Sequence, residues 1–244
     1  VKNHFPQHSV ADDNARVKWL THVAEQTAIM ISNWMRVGFV HGVMNTDNMS
    51  IHGLTIDYGP YGWLEDYDTN WTPNTTDSSR RRYRYGHQPQ IGAWNIARLA
   101  ESIAPLMDDV ELLYKVLENY DTKYVESQNS MWASKLGIQN FSEKDESLIV
   151  ELNSILQEVE TDMTIFFRLL SSIESPDIHH LSDAFYNPEN IPSEQWNIWL
   201  NKWWDRVDGK PNREDMNNAN PKYVLRNWMA QLAIDAAEKE DFTV

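Results

Sequence analysis

The chain has 244 residues, 41% of them hydrophobic, and a formal net charge of −15, so it is long enough for one large domain or two small ones with a real core. The acidic balance argues against a general nucleic-acid binder, which would carry a basic face. The absence of cysteine excludes disulfides, a thiol nucleophile and a cysteine zinc site. No apolar run is long enough to predict a transmembrane helix.

The N-terminal part predicts a short lead-in followed by a long helix. Residues 1–11 read as an extended lead-in, and because the chain starts at Val1 without a leader pattern, either a leader was removed or this is a piece of a longer protein. Apolar residues then recur every three or four positions, which predicts a helix over 12–38. Asp12 or Asp13 is suited to its N-cap, and Gly38 to its end.

Residues 39–60 contain the most unusual stretch of the chain, "HGVMNTDNMSIHGLTIDYGP". It places two Asp, two Asn and two His among small and apolar residues. Two short β-leaning runs, Met49–Ile51 and Leu54–Ile56, flank His52-Gly53, and a two-residue connection with glycine predicts a β-hairpin. We expect the apolar residues of this hairpin to anchor it in the core.

The same hairpin would bring oxygen-bearing side chains together. Asn48 and Asp57 are equidistant from the predicted turn, so we expect them to meet at the open end, with Asp47 one residue away. Amide and carboxylate oxygens suit Mg²⁺ or Mn²⁺. Spacing alone leaves open that these side chains only cap neighbouring backbone groups.

A comparison with kinase motifs favours the metal interpretation. Asp57-Tyr58-Gly59 follows a short strand as the metal-binding D-F-G of kinases does, with an asparagine upstream. His41-Gly42-Val43 stands where kinases have H-R-D, but the usual aspartate base is absent from that position.

Residues 61–90 form an irregular, activation-like segment rich in Gly and Pro, and a loop this long is usually functional or mobile. It contains "RRRYRY", Arg80 to Tyr85. Arginine forks match phosphate and carboxylate oxygens, so this run could hold phosphates or an acidic substrate. Alternatively, the arginines pair with the many acids of the chain in an ordered segment.

The remainder, 91–244, predicts a helical region. The fold class is therefore mainly α with a small β-hairpin near 49–57. The predicted helices cover 91–104, 108–119, 121–136, 143–157, 160–174, 193–206 and 221–239.

Several single residues have structural predictions. His41 is expected to be a buried residue that braces the loop. Trp196, Trp199 and Trp203 have the spacing of a core face, with Trp204 as the exposed candidate. Pro221 suits the first turn of the last helix. His179 and His180 are adjacent, which is the wrong spacing for two metal ligands on one helix face.

Four blocks carry a resemblance to a known family. They are "GFVHGVMNTDNMSIHGLTIDYGPYGWLEDYD", "RRYRYGHQPQIGAWNIARLA", "WASKLGI" and "NPKYVLRNWMAQLAIDAAEK", which run from about residue 37 to residue 240. The chain resembles the selenoprotein O family, kinase-fold proteins known as protein adenylyltransferases. The resemblance implies that residues 1–244 are the C-lobe of a protein-kinase-like fold, and that the nucleotide-binding N-lobe is absent from this chain and expected upstream.

The resemblance also implies an activity and its residues. The family transfers AMP from ATP to Ser, Thr or Tyr hydroxyls of proteins in a Mg²⁺-dependent reaction. Asp47 matches the proposed general base, and Asn48 and Asp57 match the metal ligands. Two alternatives stay open: a kinase-like phosphotransferase with the same metal pair, and a non-catalytic interaction module.

The resemblance leaves two properties open. Members occur in bacteria and in mitochondria, so no compartment is predicted. Many bacterial members have a cysteine in the segment that matches "TPNTTD", whereas this chain has none, with Pro73 near that place. Redox control through that cysteine is therefore not expected here.

Overall fold

A computed structural model describes residues 1–8 and 10–243, and the protein is mainly helical, as predicted. No helix within these residues is long and apolar enough to cross a membrane. The helices are α1 (Asp13–Val37), α2 (Gln88–Ile103), α3 (Tyr114–Leu136), α4 (Glu146–Glu158), α5 (Met163–Leu170), α6 (Ser193–Arg206), α7 (Arg213–Ala219) and α8 (Asn227–Ala237), and the strands are β1 (Phe39–Val40) and β2 (Gly62–Trp63).

Helix α1 confirms the predicted span and both predicted ends. The Asp12 side chain accepts a hydrogen bond from the Ala15 N–H at 2.8 Å, which caps the first turn. Gly38 ends the helix at φ +72°, in the left-handed region that glycine adopts without steric cost. The helix packs against α2 and α3 and leads directly into β1.

The small sheet lies outside the predicted hairpin. Strands β1 and β2 are antiparallel, with Phe39 opposite Trp63 and Val40 opposite Gly62. They close the base of a 41–61 loop, which we call the site loop. The hairpin predicted at 49–57 is wrong, because the described residues there form no strand.

Only the turn of that hairpin is present, and it rests on α1. The Gly53 N–H donates to the Ser50 carbonyl at 3.2 Å, with Gly53 at φ +64°. A Cβ at Gly53 would lie 2.8 Å from the Cβ of Gln26, so the turn contacts the helix closely. Beyond the turn, the Thr55 hydroxyl accepts a hydrogen bond from Trp34 Nε1 at 2.9 Å. The second flank therefore bonds to α1 instead of to the first flank.

Some apolar side chains of the site loop anchor it in the core and others do not. Met44 is fully buried, and Met49 is half-buried against the same core cluster. Ile51, Leu54 and Ile56 are 37%, 61% and 38% exposed. The expectation that the apolar residues anchor the loop is therefore confirmed for Met49 and wrong for Ile51, Leu54 and Ile56. Polar contacts of backbone and hydroxyl groups hold the 51–57 part of the loop in place.

The C-terminal helices differ from the prediction at three places. Helix α3 joins two predicted helices into one, and α7 was not predicted. The last helix begins at Asn227, so the prediction of Pro221 in its first turn is wrong. Side chains bind the carbonyls just before Pro221: Arg36 Nη1 lies 2.6 Å from the Ala219 oxygen and Arg168 Nη1 lies 3.2 Å from the Asn220 oxygen.

Three of the four tryptophans of α6 lie in the core as predicted, and Trp204, the exposed candidate, is half-buried against them. Trp196, Trp199 and Trp203 are fully buried. Trp199 Nε1 donates to the Leu148 carbonyl and Trp203 Nε1 to the Leu136 carbonyl, each at 2.8 Å, so these buried indole N–H groups are satisfied.

Candidate functional site

His41 joins the start of the site loop to the backbone at Ile56. The side chain is buried, with its Nε2 2.8 Å from the Ile56 carbonyl oxygen, and the Val43 N–H approaches its Nδ1 at 3.4 Å. A neutral imidazole with its hydrogen on Nε2 satisfies both contacts. The predicted bracing role of His41 is therefore confirmed, and the bond fixes the backbone immediately before Asp57.

Asn48 is fixed by the same segment. It ends a short 3₁₀ turn, Thr46–Asn48, and its N–H donates to the Asn45 carbonyl at 3.0 Å. Its side-chain Nδ2 donates to the Val43 carbonyl at 3.0 Å. Because the amide nitrogen is used in this bond, the Oδ1 is the atom left to bind a cation.

The two aspartates of the site loop are exposed. Asp47 lies in the 3₁₀ turn and Asp57 follows Ile56, and neither takes part in an ion pair with any residue that the structure describes. Asp57 has φ +58°, a left-handed conformation that Asp and Asn tolerate better than most residues. Both carboxylates are therefore available to solvent or to a ligand.

These contacts connect both predicted metal residues to one short segment, 41–43. Asn48 binds it through its own side chain, and Asp57 follows the residue that His41 holds. No group of three or more His, Asp or Glu residues in the described chain is arranged to hold a metal ion. The donor set of Asn48 and Asp57 fits Mg²⁺, which commonly takes one or two carboxylates and completes its shell with phosphates and water.

The activation-like segment covers the start of the site loop. The Asn74 Nδ2 donates to the Gly42 carbonyl at 3.1 Å. Gly42 has φ +81°, and a Cβ there would lie 2.3 Å from the Pro60 carbonyl oxygen. The Tyr83 hydroxyl donates to Asn45 Oδ1, two residues before Asp47. The segment and the site loop thus form one structural unit.

The family model described as "Protein adenylyltransferase SelO" matches residues 1–244. The chain belongs to the SelO family. The predicted resemblance to the selenoprotein O family is therefore confirmed.

Two relatives of this SelO chain are each named "Protein nucleotidyltransferase YdiU". The one from Flavobacterium johnsoniae is 48% identical over 257 residues, covering all of this chain and 49% of that protein. The one from Rhodopirellula baltica is 50% identical over 243 residues, covering 90% of this chain and 45% of that protein. The SelO chain spans about half the length of the curated relatives it matches.

Two buried amides on α2 hold the SelO site loop and were not predicted. Gln88 is fully buried; its Oε1 accepts the His41 N–H at 3.0 Å, and its Nε2 donates to the Phe39 carbonyl at 2.9 Å. Asn95 Nδ2 donates to the Met44 carbonyl at 3.0 Å. The sequence did contain a signal for this pair, because Gln88 and Asn95 are seven residues apart and therefore lie on one face of a helix. The predicted helix began at residue 91, which left Gln88 outside it.

An acidic cleft of about 420 Å³ lies beyond β2 of the SelO chain, lined by Glu65, Asp66, Asp68 and Glu160 among others. Burial raises the pKa of Asp66, and the nearby Glu160 and Asp68 carboxylates raise it further. Burial also raises the pKa of Tyr186, which lines the same cleft, to about 12. Neither Asp47, Asn48 nor Asp57 lines this cleft.

Proposed function

We propose that this SelO chain carries the acceptor-binding and metal-binding part of a Mg²⁺-dependent protein adenylyltransferase. The enzyme would transfer AMP from ATP to Ser, Thr or Tyr hydroxyls of proteins, on the C-lobe of a protein-kinase-like fold. The observation that supports this best is the attachment of Asn48 and the Ile56-Asp57 backbone to 41–43, with Asp47 exposed in the turn before Asn48.

The residues have complementary parts in such a reaction. The Asp47 carboxylate accepts the proton of the acceptor hydroxyl, whose oxygen attacks the α-phosphorus of ATP. The bond from that phosphorus to the bridging oxygen breaks, and pyrophosphate leaves with the bonding electrons. Asn48 Oδ1 and the Asp57 carboxylate would hold the metal, Mg²⁺ or Mn²⁺, which when bound neutralises phosphate oxygens.

The activity is proposed for the full-length protein, because the chain spans about half the length of its relatives. The remaining part is expected to supply a nucleotide-binding N-lobe. By itself, the 244-residue chain is a candidate for a non-catalytic kinase-like module. Calorimetry with Mg²⁺ and ATP tests this: binding by the full-length protein but not by the chain alone supports the module interpretation of the chain.

Labelled ATP tests the reaction itself. Full-length protein is incubated with an acceptor protein mixture and ATP labelled at the α- or the γ-phosphate. Retention of the α label without the γ label on protein supports AMP transfer. Retention of the γ label supports a kinase-like phosphotransferase instead. An Asp47→Asn variant is the control for labelling that does not depend on the site.

A further inference from the structure

Four arginines stand in five consecutive positions of the activation-like segment: Arg80, Arg81, Arg82 and Arg84, which we call the arginine strip. The chain has 36 acidic residues and 21 Lys and Arg, so carboxylate partners are abundant. Nevertheless, the ion pairs within the described residues include none of these four arginines. The prediction that they pair with the chain's own acids is therefore wrong. Arg80, Arg81 and Arg82 are exposed, whereas Arg84 is half-buried and donates to the Arg81 carbonyl at 3.1 Å.

The backbone beneath the strip is firmly held. Asp77 binds it twice, because its carbonyl oxygen accepts the Arg81 N–H at 2.6 Å and its Oδ2 accepts the Tyr83 N–H at 2.8 Å. The Tyr85 hydroxyl donates to the Met35 carbonyl at 2.6 Å. Arg80, Arg81 and Arg82 are exposed on this ordered turn. A charged group that is already positioned loses less conformational entropy when it binds a partner.

The strip is bonded to the loop that carries the predicted base. Tyr83, within the strip's sequence, bonds to Asn45, two residues before Asp47. On the other side, the Arg82 guanidinium lies 4.8 Å from the centre of the Trp94 ring on α2. This cation–π contact restricts Arg82 without neutralising its charge. A peptide placed with its hydroxyl at Asp47 would therefore pass close to the strip.

We propose that the arginine strip docks an acidic stretch of the acceptor protein, next to the hydroxyl that is modified. The proposal rests on the proposed adenylyl transfer, because that reaction requires a protein acceptor at Asp47. Guanidinium forks bind carboxylates in a bidentate manner. In a chain of net charge −15, an acidic partner is repelled by most of the surface and attracted at this strip, which favours one docking orientation.

Peptide binding without ATP tests the proposal independently of any transfer. The full-length protein is titrated with fluorescent serine peptides whose flanking residues are either Asp and Glu or Asn and Gln. We expect the acidic peptide to bind about tenfold more tightly at low salt, and the difference to shrink as salt screens the charges. Equal affinity for the two peptides overturns the proposal, whether or not the enzyme transfers AMP.

Matched variants locate the effect. We expect Arg80→Gln/Arg81→Gln/Arg82→Gln to remove the preference for the acidic peptide. The control, Lys115→Gln/Lys210→Gln/Lys239→Gln, removes the same charge from three exposed lysines outside the described ion pairs and should change affinity less than about twofold. If both variants lose the same affinity for the acidic peptide, the overall charge explains the preference and the local docking site is overturned.

A charge reversal excludes misfolding as the explanation. We expect Arg80→Glu/Arg82→Glu to prefer a lysine-flanked peptide over the acidic one, a gain that an unfolded protein cannot show. The anionic groups bound by the strip could instead be the phosphates of ATP, and calorimetry with Mg²⁺ and ATP on the same variants tests this. If nucleotide binding falls and the peptide preference is unchanged, the strip binds phosphates and the proposal is overturned.

Discussion

The imidazole Nε2 of His41 lies 2.8 Å from the carbonyl oxygen of Ile56, fifteen residues further along the chain. This single bond fixes the separation between the start of the site loop and the backbone that presents Asp57. Since Asn48 bonds to the Val43 carbonyl, in the segment that also approaches the imidazole, His41 supports both proposed metal residues through the backbone. His41 is therefore a positioning residue.

A His41→Leu variant tests this positioning. The Ile56 residue is partly exposed, so water can replace the lost bond, and we expect the fold to survive. We expect the full-length variant to lose about 10- to 100-fold in Mg²⁺-dependent ATP affinity, the range seen when residues that orient metal ligands are removed. Calorimetry with and without Mg²⁺ measures it. Tyr58→Phe, on an exposed neighbouring residue, is the control and should bind normally.

Substitutions at Asp57 test the metal assignment. We expect Asp57→Ala to abolish metal-dependent ATP binding by the full-length protein. Because Asp57 has φ +58°, alanine adds backbone strain, whereas asparagine tolerates this conformation. Asp57→Asn therefore removes the charge with little strain, and we expect it to reduce the dependence of binding on Mg²⁺ as well. Unchanged Mg²⁺ dependence in both variants would falsify the assignment.

Asp47 is expected to affect the rate and not the binding. Removal of a general base typically slows a reaction by about 10²- to 10⁴-fold. We therefore expect Asp47→Ala to bind Mg²⁺ and ATP normally and to transfer the α label at a rate reduced by about that factor. Single-turnover labelling at saturating ATP measures the rate. A rate equal to that of the wild type would remove the base role.

Gln88 is expected to stabilise the site loop through two backbone groups. Replacement by leucine leaves the His41 N–H and the Phe39 carbonyl without their partner, and each buried unpaired group costs about 1–3 kcal/mol. We expect Gln88→Leu to lower the free energy of unfolding by about 2–4 kcal/mol. Gln90→Leu, on an exposed position of the same helix, is the control and should change it by less than about 0.5 kcal/mol. Urea denaturation measures both.

Lys135 predicts a pH dependence of stability. The side chain is buried, with Nζ 2.8 Å from the Arg36 carbonyl oxygen and 2.9 Å from Asn220 Oδ1. Burial lowers the pKa of Lys135 well below 10.5, and the positive charge of Arg36 lowers it further. The unfolded chain therefore binds more protons than the folded one between the folded pKa and 10.5, so stability from this group rises with pH across that window.

A Lys135→Met variant isolates this contribution, because methionine is of similar length and does not titrate. We expect the free energy of unfolding of the wild type, minus that of Lys135→Met, to increase as pH rises toward 10.5. Urea denaturation at several pH values between neutrality and 10 measures the difference. A difference that falls with rising pH contradicts a lowered pKa.

Local signals predicted the helices better than the sheet. The span of α1 followed from its apolar period and from two end residues, Asp12 and Gly38, which act within one turn. The core face of α6 followed in the same way from tryptophan spacing. The 49–57 hairpin was wrong because its second flank bonds to Trp34 and His41, which lie outside the hairpin pattern in the sequence.

The sequence predicted the candidate site residues, whose roles stay predictions, and the bracing by His41, but not the support from Gln88. Asp47, Asn48 and Asp57 carry a recognisable motif within eleven positions, so the sequence alone could single them out. Gln88 lies 47 residues from its partner His41, and the pairing depends on how α2 packs beneath β1. Contacts of that kind follow from tertiary packing, which local periodicity does not report.

The close approach of Asn227 to Gly62 links the beginning of α8 to the base of the site loop. A Cβ at position 62 would lie 2.4 Å from the Asn227 Oδ1, and the Asn227 Nδ2 donates to the Trp63 carbonyl at 3.0 Å. The same Cβ would lie 2.8 Å from Cη2 of Trp71. During evolutionary divergence, a larger residue at 62 would therefore be accepted only together with changes at 71 and 227. These three positions, which are separated in the sequence, should change together.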